Sequence, residues 1–222
     1  MARTRARAAA GRRKSDGKRR AILAGACRVF LAHGFGGANM DDVAAAARVS
    51  KMTVYRYFRS KEELFAGVVR DMCDRIADPA LVETMARLPL REALRTFGRR
   101  MHEVIFAPET LGLHRIVVAE SQRFPELGKL FYDSGPGGSI RALADYFARQ
   151  RGNPDLKIRD PRLAAEEFLE LLRGYDHMRA LLRVGGPLSP RRVDERVERA
   201  IDHVLRWRRA APGPAWRRPA RS

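Results

Sequence analysis

The 222-residue chain has only two cysteines, Cys27 and Cys73, and no CxxC pair. That excludes a disulfide framework, argues against a zinc site and fits a reducing cytoplasm. Long apolar runs are also missing. Stretches such as Ala21 to Cys27 fall far short of the roughly 18 residues a spanning helix needs, so no membrane partner is expected. No window alternates apolar and polar residues as a half-buried strand would, and no internal repeat is present. Catalytic signatures are absent too. His102-Glu103 begins like a zinc-protease helix, but Phe106 stands where the second histidine belongs. Gly34-x-Gly-Gly37 and Gly135-x-Gly-Gly138 follow no strand, so neither reads as a phosphate loop. There is no nucleophile elbow and no carboxylate pair in a pKa-raising context. No catalytic residue, metal or cofactor is expected.

Acidic residues are scarce at both ends. Residues 1–20 carry nine basic side chains and one acid, and residues 206–222 carry six arginines and no acid. Of the formal net charge of +18, only +4 is left for the chain between. A basic excess suggests an anionic partner, and these tails either aid solubility or track nucleic-acid phosphates. The first 20 residues share the Arg-rich, acid-poor character of a transit peptide but lack its apolar face. With 45% hydrophobic and 32% charged residues, the remainder can bury a core.

Helix signals fill that remainder, predicting an all-α fold. Ile22, Ala26, Val29 and Phe30 share one face of a first helix over 18–33, ended by Gly34. Asn39 is placed to cap a short helix through Ala47, with Asp41 and Asp42 at its positive end. Ser50 caps a third through about Phe58, and Ser60-Lys-Glu-Glu63 is a capping box for a fourth. Longer helices are predicted near 90–106, 109–123, 125–151 with a break at 134–138, 160–183 and 189–207. The domain division is then a disordered basic arm over 1–17, a small helical domain over 18–66, a larger one over 67–209 and a disordered Pro/Arg-rich tail over 210–222.

Two short helices joined by a turn, the second starting at a Ser cap, form a helix-turn-helix. With Val54 and Phe58 turned inward, Met52, Thr53, Arg56 and Arg59 point outward and Tyr55 and Tyr57 sit on the flanks. Such a face suits a DNA major groove, although the two tyrosines could equally pack inside. Hydroxyls of Thr53, Tyr55 and Tyr57 can meet phosphate oxygens. Lys61 and the free N–H groups of the fourth helix can hold another phosphate.

The strings Ile22-Leu-x-x-Ala26-x-x-x-Phe30, Gly34-Phe35, Met40-Asp-Asp-Val-Ala44, Val49-Ser-Lys-Met-Thr-Val-Tyr-Arg-Tyr-Phe58 and Ser60-Lys-Glu-Glu-Leu-Phe65 stand in one register. Together they resemble the DNA-binding domain of TetR-family bacterial transcriptional regulators. By position, the resemblance implies base or groove contacts at Lys51, Met52 and Tyr55, and phosphate contacts at Asn39, Thr53, Tyr57 and Lys61. Ser50 and Arg56 complete the expected DNA-facing set. Two residues depart from the family: Arg48 replaces a common turn glycine, and Met52 replaces a common small residue.

The segment Leu113 to Leu127 also resembles C-terminal domains of one branch of this family, implying an all-helical effector domain. The last two helices would pair with those of a second copy. Leu163, Phe168, Leu171, Leu172, Tyr175, Met178 and Leu182 give the first of them an apolar face too broad for one neighbour. Val193, Val197, Ile201, Val204 and Leu205 line the second. Burial across a two-fold axis accounts for the surplus. For an effector of unknown identity, the candidate contacts are Phe97, Met101, His102, Phe106, His114, Glu120, Tyr132, Tyr175, His177 and Met178. The chain thus reads as a cytoplasmic homodimeric regulator of a palindromic double-stranded DNA operator. It would be a repressor released by a small molecule. The rival reading is a nonspecific DNA-compacting protein whose affinity is electrostatic alone.

Overall fold

The computed structural model describes residues 2–74, 79–150, 152–156 and 158–206. Among these every regular element is a helix: α1 (Ala2–Gly37), α2 (Met40–Ala47), α3 (Lys51–Tyr57), α4 (Lys61–Asp74), α5 (Pro79–Arg87), α6 (Leu90–Ile105), α7 (Pro108–Glu120), α8 (Pro125–Ser134), α9 (Pro136–Arg149), α10 (Pro161–Leu181) and α11 (Pro190–Leu205). None of the described helices is long and apolar enough to cross a membrane.

The caps fall where the side chains dictate. The Asn39 side chain accepts from the N–H groups of Asp41 and Asp42, and Ser50 accepts from Thr53. Ser60 accepts from the Glu63 N–H, but Glu63 reaches back to the N–H of Arg59 rather than to that of Ser60. The turn between α2 and α3 is left-handed at Arg48 (φ 55°, ψ 44°), where the family commonly has glycine. Its N–H bonds to the carbonyls of Ala44 and Ala45, so the geometry closes α2 at the expense of backbone strain.

Three expectations need correction. The segment 1–17, expected as a disordered arm, continues α1 back to Ala2. Its alanines and arginines are good helix formers and no proline interrupts them. Helix α5 was not anticipated, since a short element opened by Pro79 gives little periodicity to read. The division expected after residue 66 falls inside α4, which buries Leu64, Phe65, Val68, Val69 and Met72 on both sides of it. The expected tail over 210–222 lies outside the described residues.

Two cores result. The first joins α1–α4 to Leu113, Val117 and Leu127 of α7 and α8, with Phe30, Phe35 and Phe65 at its centre. The edge-on contact of Phe30 with Phe65 is 5.1 Å between centroids. The second core gathers α6, α9, α10 and α11 around Leu94, Phe147, Phe168, Leu172 and Ile201. On its rim Arg91, Arg95 and Arg99 of α6 pair with Glu198, Asp202 and Asp194 of α11. These pairs are a third to a half exposed, so they fix the register of two helices more than they stabilise them.

Arg48 is exposed, so substitutions there report on the backbone alone. Arg48→Val should lower unfolding free energy by about 1–2 kcal/mol, because a β-branched residue resists this conformation. Arg48→Gly should stay within about 1 kcal/mol of the parent, relief of strain offsetting added chain entropy. Equal losses for the two in chemical denaturation would remove strain as the cause.

Candidate functional site

The outer face of α3 brings Lys51, Met52, Tyr55 and Arg56 together in solvent, with Met52 79% exposed. Val54 and Phe58 are buried beneath them, as the spacing predicts. An exposed methionine at the first turn of a short helix has no structural reason to be there. The Lys51 ammonium lies 2.9 Å from Asp41 of α2. That hydrogen bond and charge push it above its ordinary pKa, so it stays cationic.

The flanking residues are tied down. The Ser50 and Thr53 hydroxyls lie 2.9 Å apart. Tyr57 donates to the Ser15 carbonyl at 3.2 Å and lies under the Arg56 guanidinium. The Asn39 amide donates to Asp42 while its oxygen caps α2. Lys61 donates to the carbonyls of Gly36 and Ala38 at 3.3 and 3.1 Å and sits over the Phe35 ring. Two of its three N–H groups are thus occupied within the protein.

Glu120 was expected in an effector pocket and lies elsewhere. Its carboxylate accepts from the N–H groups of Phe35 and Gly36, both at 2.6 Å. Gly34 makes this possible. Its positive φ (70°, ψ −179°) interrupts α1 and turns the next two amides outward, and a Cβ there would lie 2.5 Å from the carboxylate. Charge-assisted bonds to two successive amides are strong for their size. They join the end of α7 to the hinge at the end of α1.

Between α4 and α6–α10 lies a cavity of about 320 Å³. Four of the candidate effector contacts, Met101, His114, Tyr132 and His177, line it with Met72, Phe131, Leu169 and Arg173. A larger one of about 640 Å³ adjoins it, sharing Cys73, Met101, Gly135 and Ser139 and including Phe97. Five expected contacts line neither: His102, Phe106, Glu120, Tyr175 and Met178. His102 is buried and stacks on Phe106 at 4.2 Å. Tyr175 and Met178 are 83% and 56% exposed. Gly174 (φ 50°, ψ −165°) breaks α10, so the period of 168–172 does not carry across it. Arg173 was missed. A lone cation four residues after the buried Leu169 was the available signal.

The His114 and His177 rings pack 5.3 Å apart. Burial holds both below the ordinary imidazole range, with neighbouring Arg173 adding to it, and His177 falls to about 4. Both are neutral at pH 7. Burial pushes the Cys73 thiol up to about 11, so it is an inert wall. Among the described residues no group of histidine, cysteine and carboxylate side chains could hold a metal.

Two outcomes follow from these contacts. Glu120→Gln keeps one acceptor and strands the second amide, so unfolding free energy should fall by about 1–3 kcal/mol. An unchanged denaturation midpoint would show that water replaces the bond without loss. For His177, the unfolded chain gains a proton near pH 6.5 while the folded chain resists until about 4. Stability must therefore drop as pH falls through that window. Between pH 6.5 and 5, before the carboxylates titrate, His177→Gln should flatten the drop, with His114 and the buried His102 supplying what remains. Parallel curves for variant and parent would sink this assignment.

The comparisons with known proteins agree with this arrangement. Residues 22–68 match the family model "Bacterial regulatory proteins, tetR family". Residues 92–209 match that of the AefR-like transcriptional repressor C-terminal domain. The chain is 30% identical over 114 residues to the HTH-type transcriptional regulator BetI of Rhizobium meliloti, covering 51% of this chain and 56% of BetI. It is 28% identical to the regulator YhgD of Bacillus subtilis, over 69% of this chain and 80% of YhgD. A TetR-family regulator from Mesorhizobium loti superimposes with a TM-score of 0.72 at 26% identity, covering 86% of this chain and 96% of that one. The flavonoid-responsive regulator FrrA does so with 0.63 at 35% identity, covering 85% and 95%. These relatives are named as transcriptional regulators, and the two family models together span the α3 face and most of the cavity-bearing domain. The chain belongs to the TetR family of helix-turn-helix, DNA-binding transcriptional regulators.

Proposed function

We propose that the protein is a homodimeric repressor that holds a palindromic operator and is released by a small molecule bound between α4 and α10. The observation that carries the reading is the path through α7. His114 lines the cavity, Arg115 donates to the carbonyls of Ala180 and Leu181 at the end of α10, and Glu120 holds the α1 hinge. A ligand that shifts α7 acts at once on the effector helices and on the DNA-reading domain.

In this reading Lys51, Met52 and Tyr55 meet base edges from the first turns of α3, with Arg56 beside them. Asn39, Ser50, Thr53, Tyr57 and Lys61 position the domain on phosphates, Lys61 with its remaining N–H. The two α3 copies then sit about 34–36 Å apart or a multiple of it. To turn a 99:1 preference for the DNA-binding state into its reverse, the ligand must discriminate by about 5.5 kcal/mol.

Support for the dimer comes from α10. Leu163, Leu171, Tyr175, Met178 and Leu182 form an exposed apolar strip, larger in extent than scattered surface residues explain. The apolar residues expected on α11 do not add to it. Val197, Ile201 and Val204 are buried against their own chain, and Val193 and Leu205 are half-buried against the same core, so a partner would meet α10 chiefly.

The test is binding to DNA from upstream of the protein's own gene, against excess unrelated duplex, over a salt series. Competition-resistant binding at moderate salt is expected. The double variant Tyr175→Glu, Leu182→Glu should sediment as a monomer and lose that binding while keeping the salt-sensitive, nonspecific component. Binding that vanishes with competitor for the parent protein would favour the electrostatic compacting reading instead.

A further inference from the structure

We propose that the smaller cavity takes a carboxylate-bearing ligand with an apolar body, its carboxylate paired with Arg173. The inference rests on the reading of this cavity as the effector site and adds its chemical class.

The walls are apolar on most sides: Met72, Met101, Ile105, Leu113, Phe131 and Leu169. Into this lining Arg173 brings a permanent positive charge. Its Nη1 pairs with Glu170 at 2.9 Å, but Glu170 is 68% exposed and is not among the residues lining the cavity. The Nε of Arg173 is buried and has no hydrogen-bond partner among the described residues. A buried guanidinium donor left open is costly unless something fills it.

The other polar groups point the same way. No aspartate or glutamate is among the described residues lining this cavity. His114 and His177 line it as neutral rings, each with one N–H to donate. A cationic ligand would meet Arg173 with no acid in the lining to offset it, and a neutral acceptor would satisfy Nε by a weaker bond than a charged one. An anion answers both. Among the charged residues lining the adjoining larger cavity, Asp74 and Asp145 outnumber Arg149, and the two acids disfavour an anionic head there. They orient the ligand with its carboxylate at Arg173 and its apolar body toward the shared Met101.

The experiment uses matched probes on three apolar bodies: octanoate, octanol and octylamine; phenylbutanoate, phenylbutanol and phenylbutylamine; and naphthylacetate with its alcohol and amine analogues. Each is titrated calorimetrically into the full-length protein and into Arg173→Gln and Arg173→Lys, with circular dichroism showing that all three fold alike. For at least one body, the parent should bind the carboxylate tighter than the alcohol by about tenfold or more. Arg173→Gln should erase that preference and keep the alcohol's affinity, and Arg173→Lys should restore most of it. If alcohols or amines bind as tightly as carboxylates, or Arg173→Gln keeps the preference, the carboxylate assignment falls and the effector cavity stands. If no probe of any class binds, both readings fall together.

Discussion

A single carboxylate sets the geometry on which the DNA-reading half depends. Glu120 holds the amides of Phe35 and Gly36 while Lys61 holds the carbonyls of Gly36 and Ala38. The few residues between α1 and α2 are gripped from two sides by opposite charges. Each charge satisfies backbone groups that would otherwise be exposed at a helix end. Because Phe35 stacks into the Phe30 and Phe65 cluster and touches Phe124, the same segment is also the apolar joint between the two halves. The position of α2, and with it α3, follows from that joint.

Helix α7 connects this joint to the rest of the molecule. Along its length Thr110, Leu113 and His114 face the cavity, Arg115 meets the end of α10, and Glu120 meets α1. The contacts of Arg115 and Glu120 are hydrogen bonds of fixed direction, so α7 cannot slide without changing both. Most of these bonds are half-buried, where electrostatic bonds keep much of their strength. In the proposed function, a ligand in the cavity and DNA on α3 act through this one helix.

Much of this was legible in the sequence, and the exceptions share a cause. Asn39, Ser50 and Asp160 announced their helices because capping is local chemistry. Val54 and Phe58 announced the buried face of α3 because one helix turn decides it. The misses involve residues whose partners are far away in the chain. Glu120 sits 85 residues from Phe35, and nothing near it says that it grips a backbone rather than a ligand. Tyr175 and Met178, expected at an effector as well as on the outer face of α10, line neither cavity because Gly174 resets the helical register. The Arg91, Arg95, Arg99 series and the Asp194, Glu198, Asp202 series repeat every four residues and could have been matched. Their opposed charges are a pairing signal that periodicity alone does not score.

The first core also bears on modularity. It contains Leu113, Val117 and Leu127 alongside the residues of the helix-turn-helix, and α4 runs through the sequence boundary between the two parts. A reading head cut away at that boundary would leave part of its own interior behind on α7 and α8. In this chain, then, exchanging one sensing domain for another is a graft across a shared interior, and the recipient must carry the matching half. Leu113 ties the two parts together most directly, because it lines the cavity and belongs to the shared interior at once.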